Sequence, residues 1–141
     1  MSKFSDYSET NIIQTMLRGV AFPVPAGVHV AMFTADPTDA NVTANEVQVA
    51  AMPAYLRVNA AGAGTIDTGW GAPANGVSAN AKVITFAANN GVGAITVTHI
   101  GLYDAATGGN LLFHAPLVSP KTLQPGDVLS FGIGTLTVTV Q

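Results

Sequence analysis

A chain of 141 residues amounts to a single domain, and its lack of cysteine excludes disulfide staples, thiolate metal sites and cysteine nucleophiles together. Charged residues make up only 9% of it and hydrophobic ones 48%, the opposite of the balance that keeps chains disordered. A formal charge of −3 with five scattered basic residues leaves no electrostatic footprint for nucleic acid.

Residues 1–9 are polar and mixed in charge, and Asn11, Gln14 and Thr15 interrupt the apolar residues that follow. That is not the pattern of a secretory leader. No uninterrupted apolar run of about 18 residues is present to span a bilayer. The expectation is a chain made and folded in a cytosol, with no membrane partner. In that setting the Asn41-Val42-Thr43 sequon is an ordinary loop.

Ile12, Ile13, Met16 and Leu17, with Tyr7 and Val20 near the same stripe, have helical spacing. Ser5 or Ser8 suits the N-cap, Asp6 and Glu9 the first turn, and Arg18 then Gly19 the end. The spacing predicts one amphipathic helix over 6–18. Three turns are marginal alone, so its apolar face must dock on its own domain or on a neighbouring subunit.

After Pro23 and Pro25 the pattern turns to strands. In 27–34, Val28, Val30 and Met32 alternate with His29, Ala31 and Phe33, which reads as a strand buried on both faces. The stretch 36–45 is turn-rich. Short strands are expected at 55–60 and 82–87, around a Gly/Ala/Asn-rich stretch holding the sole tryptophan, Trp70. Further strands are expected at 94–104 and 111–117, joined by a glycine-bearing hairpin turn at 105–110. Large apolar residues then change phase: Leu129, Phe131 and Ile133 are odd, whereas Leu136, Val138 and Val140 are even. A slip of one residue exchanges the two faces, so a bulge or corner belongs at 132–134. The pattern predicts an all-β, jelly-roll-like β-sandwich with one short N-terminal α-helix. Its organisation would be an arm and helix at 1–20 and a single sandwich domain at 21–141.

Chemistry is sparse. His29, His99 and His114 have no metal-ligand spacing, although His99 and His114 can approach each other across the 94–117 hairpin. Asp36 and Asp39 flank a turn, as Asx chemistry requires without any further role. No Gly-x-Ser-x-Gly elbow occurs, and no Gly-x-Gly opens a helix as a dinucleotide fingerprint must. No convincing carboxylate pair supports a glycan hydrolase. Neither catalytic residue, metal nor cofactor is expected, which points to a structural or binding role.

Three stretches carry a resemblance. Ser-Asp-Tyr-Ser-Glu at 5–9 runs through Leu17-Arg18-Gly19 to Ala21-Phe22-Pro23. Val-His-Val-Ala-Met-Phe-Thr-Ala-Asp-Pro occupies 28–37. The most specific stretch, Val-Thr-His-Ile-Gly-Leu-Tyr-Asp-Ala-Ala-Thr-Gly-Gly-Asn-Leu-Leu-Phe-His-Ala-Pro-Leu, fills 97–117. Together they resemble a family of small tailed-bacteriophage virion proteins, over nearly the whole chain. The chain departs from that pattern at 44–53, before the Tyr-x-Arg that Tyr55-Leu56-Arg57 resembles.

The resemblance implies a virion part, commonly labelled a tail-fibre protein and also similar to capsid cement (decoration) proteins. The favoured expectation is a cement protein on the capsid exterior, bridging subunits of the major capsid protein and pairing with itself as a homo-oligomer. Its candidate contacts are Phe4, Tyr7, Ile12, Ile13 and Met16. The alternative is a tail-fibre or adsorption protein that binds a host receptor or glycan, with Tyr55 and Trp70 as its stacking surface.

Overall fold

Ser5 starts the helix. Its extended backbone (φ −83°, ψ 162°) lets the hydroxyl accept from the Ser8 N–H at 3.2 Å, which satisfies a first-turn donor that has no partner inside the helix. Helix α1 then runs Asp6–Arg18, as the spacing predicts. Gly19 ends it with φ 69°, a left-handed turn that glycine adopts without strain. The structure, a computed structural model, describes residues 2–140. Met1 and Gln141, the outer limits of the expected arm and sandwich domain, lie outside the described residues.

The strands are β1 (Lys3–Phe4), β2 (His29–Phe33), β3 (Val58–Asn59), β4 (Val77–Ala79), β5 (Ile84–Thr85), β6 (Ile95–Tyr103), β7 (Leu111–Leu123), β8 (Ser130–Phe131) and β9 (Thr137–Thr139). Five form an open antiparallel sheet in the order β1-β7-β6-β2-β3. Two-stranded ribbons β4-β9 and β5-β8 stand apart from it.

This architecture meets the fold expectation in part, and a jelly roll is not shown. The fold is mostly β with one N-terminal helix, but its sheets do not close. The short strands expected at 55–60 and 82–87, and the segment in which Leu129, Phe131 and Ile133 alternate, pair over only two residues each, too few to form complete sheet layers. Two strands went unforeseen, β1 and β4. Both are too short to show a period-2 pattern.

Alternation on β2 sorts the core. Val30 and Met32 join Val97, Leu102, Ile84, Phe86, Leu123 and Leu129 in the main buried cluster, whereas Ala31 and Phe33 meet Tyr103 and Leu111 on the other face. Both faces of β2 are therefore apolar because both are covered. Gly101, in the middle of β6, lies where a Cβ would come within 2.7 Å of the Phe33 ring.

The hairpin turn forms as expected, with Gly108 and Gly109 at φ 59° and 69°. The phase change at 132–134 is a corner. The chain leaves β8, which pairs with β5, and turns where the Thr135 N–H donates to the Gly132 carbonyl. It then enters β9, which pairs with β4.

Candidate functional site

Helix α1 leaves a large apolar face uncovered. It lies on β7 and β1 with Ser8 buried and Tyr7, Asn11, Ile12 and Gln14 half-buried. At about 100° per residue, Ile13 and Leu17 project away from Ser8 and Met16 lies to one side of it, and the three are 56%, 79% and 78% exposed in that order. Val20 and Val24, just beyond the helix, are also exposed.

The single docking stripe expected for the helix is thus divided. Tyr7 and Ile12 lean on the body, while Ile13, Met16, Leu17 and Val20 face solvent. Backbone anchors at the start of the helix set its rotation: the Ser5 N–H donates to the Leu112 carbonyl, and the Asp6 N–H to that of Asp39. Among the expected contact residues, Phe4 is half-buried with its ring 4.8 Å from that of Phe113. Ile13 and Met16 are the two that stand free.

Beneath the helix lies a polar clasp. His114 on β7 is 2% exposed, with Nε2 2.8 Å from Asp39 Oδ1 and Nδ1 3.1 Å from Asp36 Oδ1. His99 Nε2 lies 3.9 Å from Asp36 Oδ2. The approach of the two histidines expected across the hairpin therefore takes place with Asp36 between them.

Burial works against the charge of Asp36. The Thr38 N–H, donating at 2.9 Å, outweighs it together with His114, His99 and Lys3, and holds the carboxyl below its ordinary value. The whole cluster ties the 36–45 loop and the start of the helix to the sheet. Among the described residues, no three His, Asp or Glu side chains gather as a metal set.

A second knot was not foreseen. Arg57 clamps Glu46 through Nε and Nη2, donates from Nη1 to the Ala105 and Gly108 carbonyls, and lies 3.4 Å above the Tyr103 ring. Tyr103 in turn donates to the Asn41 side chain. The Tyr-x-Arg spacing was its only local trace in the sequence.

The expected stacking pair does not form a platform. Tyr55 is buried, its hydroxyl donating to Glu46 at 2.7 Å and accepting from the Met32 N–H at 3.1 Å. Burial, reinforced by the charge of Glu46, drives its phenol well above the ordinary range. Trp70 is half-buried against the main core and lines an apolar cleft of about 290 Å³ with Val28, Val77, Phe113 and Val138. A sugar needs polar partners beside its stacking ring, and this lining has almost none.

What remains is a folded body with an outward apolar helix face. A model of the family described as Podophage GP4 fiber I protein gp80 matches residues 3–139. The chain belongs to this fibre-protein family.

The match covers nearly all of the chain, so the sequence resemblance to phage virion proteins holds. It favours the tail-fibre alternative over the cement reading, and the gp80-family chain is a phage virion fibre protein. Among curated proteins, none matches the gp80-family chain. Among the described residues, no helix is long and apolar enough to cross a membrane.

Proposed function

We propose that this chain is a non-catalytic structural subunit of a podophage fibre and works by holding its neighbours in the virion. The observation that carries this reading is the fibre-family match over 3–139. The polar clusters fit it. His114, Asp36 and Asp39 use their hydrogen bonds to fasten a loop and a helix, and Arg57 and Glu46 use theirs to fasten two more loops. The exposed apolar residues on and beyond α1 supply a surface for protein contact. The burial of Tyr55 and the apolar setting of Trp70 favour an assembly role over glycan stacking.

The test is location and copy number in purified virions. Antibody-gold labelling should mark the tail region, and quantitative mass spectrometry should find far fewer copies than of the major capsid protein. Labelling spread over the shell, at a copy number comparable to the capsid protein, would overturn the fibre reading and restore the cement one.

A further inference from the structure

We propose that Asn75 is a site of spontaneous hydrolytic deamidation, a chemical ageing point in the turn that leads into β4. An asparagine followed by glycine is the step most open to this reaction, because glycine has no side chain to obstruct its own backbone nitrogen. The chain has two such steps, Asn75-Gly76 and Asn90-Gly91, and the fold treats them oppositely. Asn75 and Gly76, at φ 51° and 75°, are the central pair of a tight turn closed by Ala74 and Val77. Both are exposed. Among the described residues, neither the Asn75 side chain nor the Gly76 N–H has a hydrogen-bond partner. At the other step both reacting groups are held. The Asn90 amide oxygen accepts from the Ala54 N–H at 2.8 Å, and the Gly91 N–H donates to Asn89 Oδ1 at 3.0 Å. Gly91 is also packed under the Ala51 carbonyl, and Asn89 is buried.

The chemistry needs only water and hydroxide. Hydroxide takes the Gly76 amide proton, the nitrogen attacks Asn75 Cγ, a C–N bond forms and the side-chain nitrogen leaves as ammonia. Water then opens the resulting cyclic imide at either carbonyl, giving aspartate or isoaspartate. For the nitrogen to reach Cγ the turn must open, which breaks the two Ala74–Val77 backbone bonds and the one from the Val140 N–H to the Gly76 carbonyl. Such opening is easy at the end of a two-stranded ribbon only three residues long. Each event adds one negative charge to the formal −3. The isoaspartyl product also adds a methylene to the backbone of a turn whose residue count sets the register of the strand it feeds. Val77, next in the chain, lines the apolar cleft together with Trp70, so the change reaches the sole tryptophan.

The experiment is timed incubation of the full chain in warm, mildly alkaline buffer, followed by isoelectric focusing and by peptide mass spectrometry that separates aspartate from isoaspartate. The folded chain should accumulate a more acidic form whose modification maps to Asn75. Asn90 should convert at least about tenfold more slowly, the effect of two hydrogen bonds of ordinary net strength on a rate. In concentrated urea the two sites should convert at similar rates, since nothing then holds Asn90. Asn75→Gly, which the left-handed turn accepts without strain, should abolish the acidic form while the circular dichroism spectrum stays unchanged. The isoaspartyl fraction, separated by charge, should differ from the parent chain in Trp70 fluorescence. Conversion of Asn90 as fast as Asn75 in the folded chain, or no conversion at Asn75 while the urea-unfolded chain reacts, would overturn the proposal. These outcomes are independent of where in the virion the chain resides, so the fibre assignment stands or falls separately.

Discussion

Arg57 grips Glu46 with two parallel hydrogen bonds, 2.8 Å from Nε to Oε1 and 2.7 Å from Nη2 to Oε2, and both side chains are nearly buried. The pair links the start of β3 to the loop after the 3-10 turn Thr43–Asn45. Its remaining guanidinium donor closes on the 105–110 turn.

Removing one partner of such a pair leaves a buried charge uncompensated. Arg57→Ala should therefore cost about 3–5 kcal/mol. Arg57→Lys keeps the charge but loses the planar fork, so it should fall between the alanine variant and wild type. Urea unfolding reads this order. Equal midpoints for all three proteins would show that the pair contributes nothing to stability.

Alkaline pH should loosen the same region. Burial, with the charge of Glu46 behind it, pushes the Tyr103 phenol up to about 12 despite the pull of Arg57, and Tyr55 is raised further for similar reasons. An unfolded phenol releases its proton near 10, so above that pH the folded state binds more protons than the unfolded one. Stability is then full below about pH 10 and falls as pH rises through about 12. Absorbance titration of phenolate formation should show a step near 12 that Tyr103→Phe removes. A Tyr103 step near 10 would contradict the buried geometry.

Acid acts through different groups. Burial lowers His29 from 6.5, so the unfolded chain takes up a proton there that the folded chain resists, and stability begins to slip as pH falls below about 6.5. Asp36 is lowered from 3.8. Its contribution is present above that value and is lost as pH falls through the lower folded value. Asp36→Asn should weaken the protein at neutral pH and flatten the steeper loss below about pH 4. Denaturant midpoints measured from pH 2 to 7 test both parts, and a D36N curve parallel to wild type throughout would refute the assignment.

Glycine tolerance separates packing from mere loop residence. A Cβ at Gly91 would sit 1.9 Å from the Ala51 carbonyl oxygen, whereas one at Gly93 would meet nothing within 4 Å. Gly91→Ala should force the 89–93 loop off its seat, where buried Asn89 donates to the Gly93 and Leu123 carbonyls, at a cost of at least about 1–3 kcal/mol. Gly93→Ala should be nearly neutral. Thermal melts of the two variants should differ by several degrees, and matching melts would argue against the close approach.

The sequence determined those features of this protein that are set within a few residues. Helix 6–18 with its Ser5 cap, the 105–110 turn and the corner at 132–134 each follow from local spacing, capping or phase. The tertiary structure decided everything carried by distant pairing. Strands of two or three residues bear no period that sequence can reveal, so β1 and β4 exist only because β7 and β9 offer them edges, and the sheet stays open where a jelly roll was expected. Likewise His114 finds Asp39 across 75 positions and Tyr103 finds Asn41 across 62. No local pattern encodes such meetings. The rotation of α1 belongs with them. Its stripe could have turned inward or outward, and the hydrogen bonds of Ser5 and Asp6 to Leu112 and Asp39 turn Ile13, Met16 and Leu17 toward solvent.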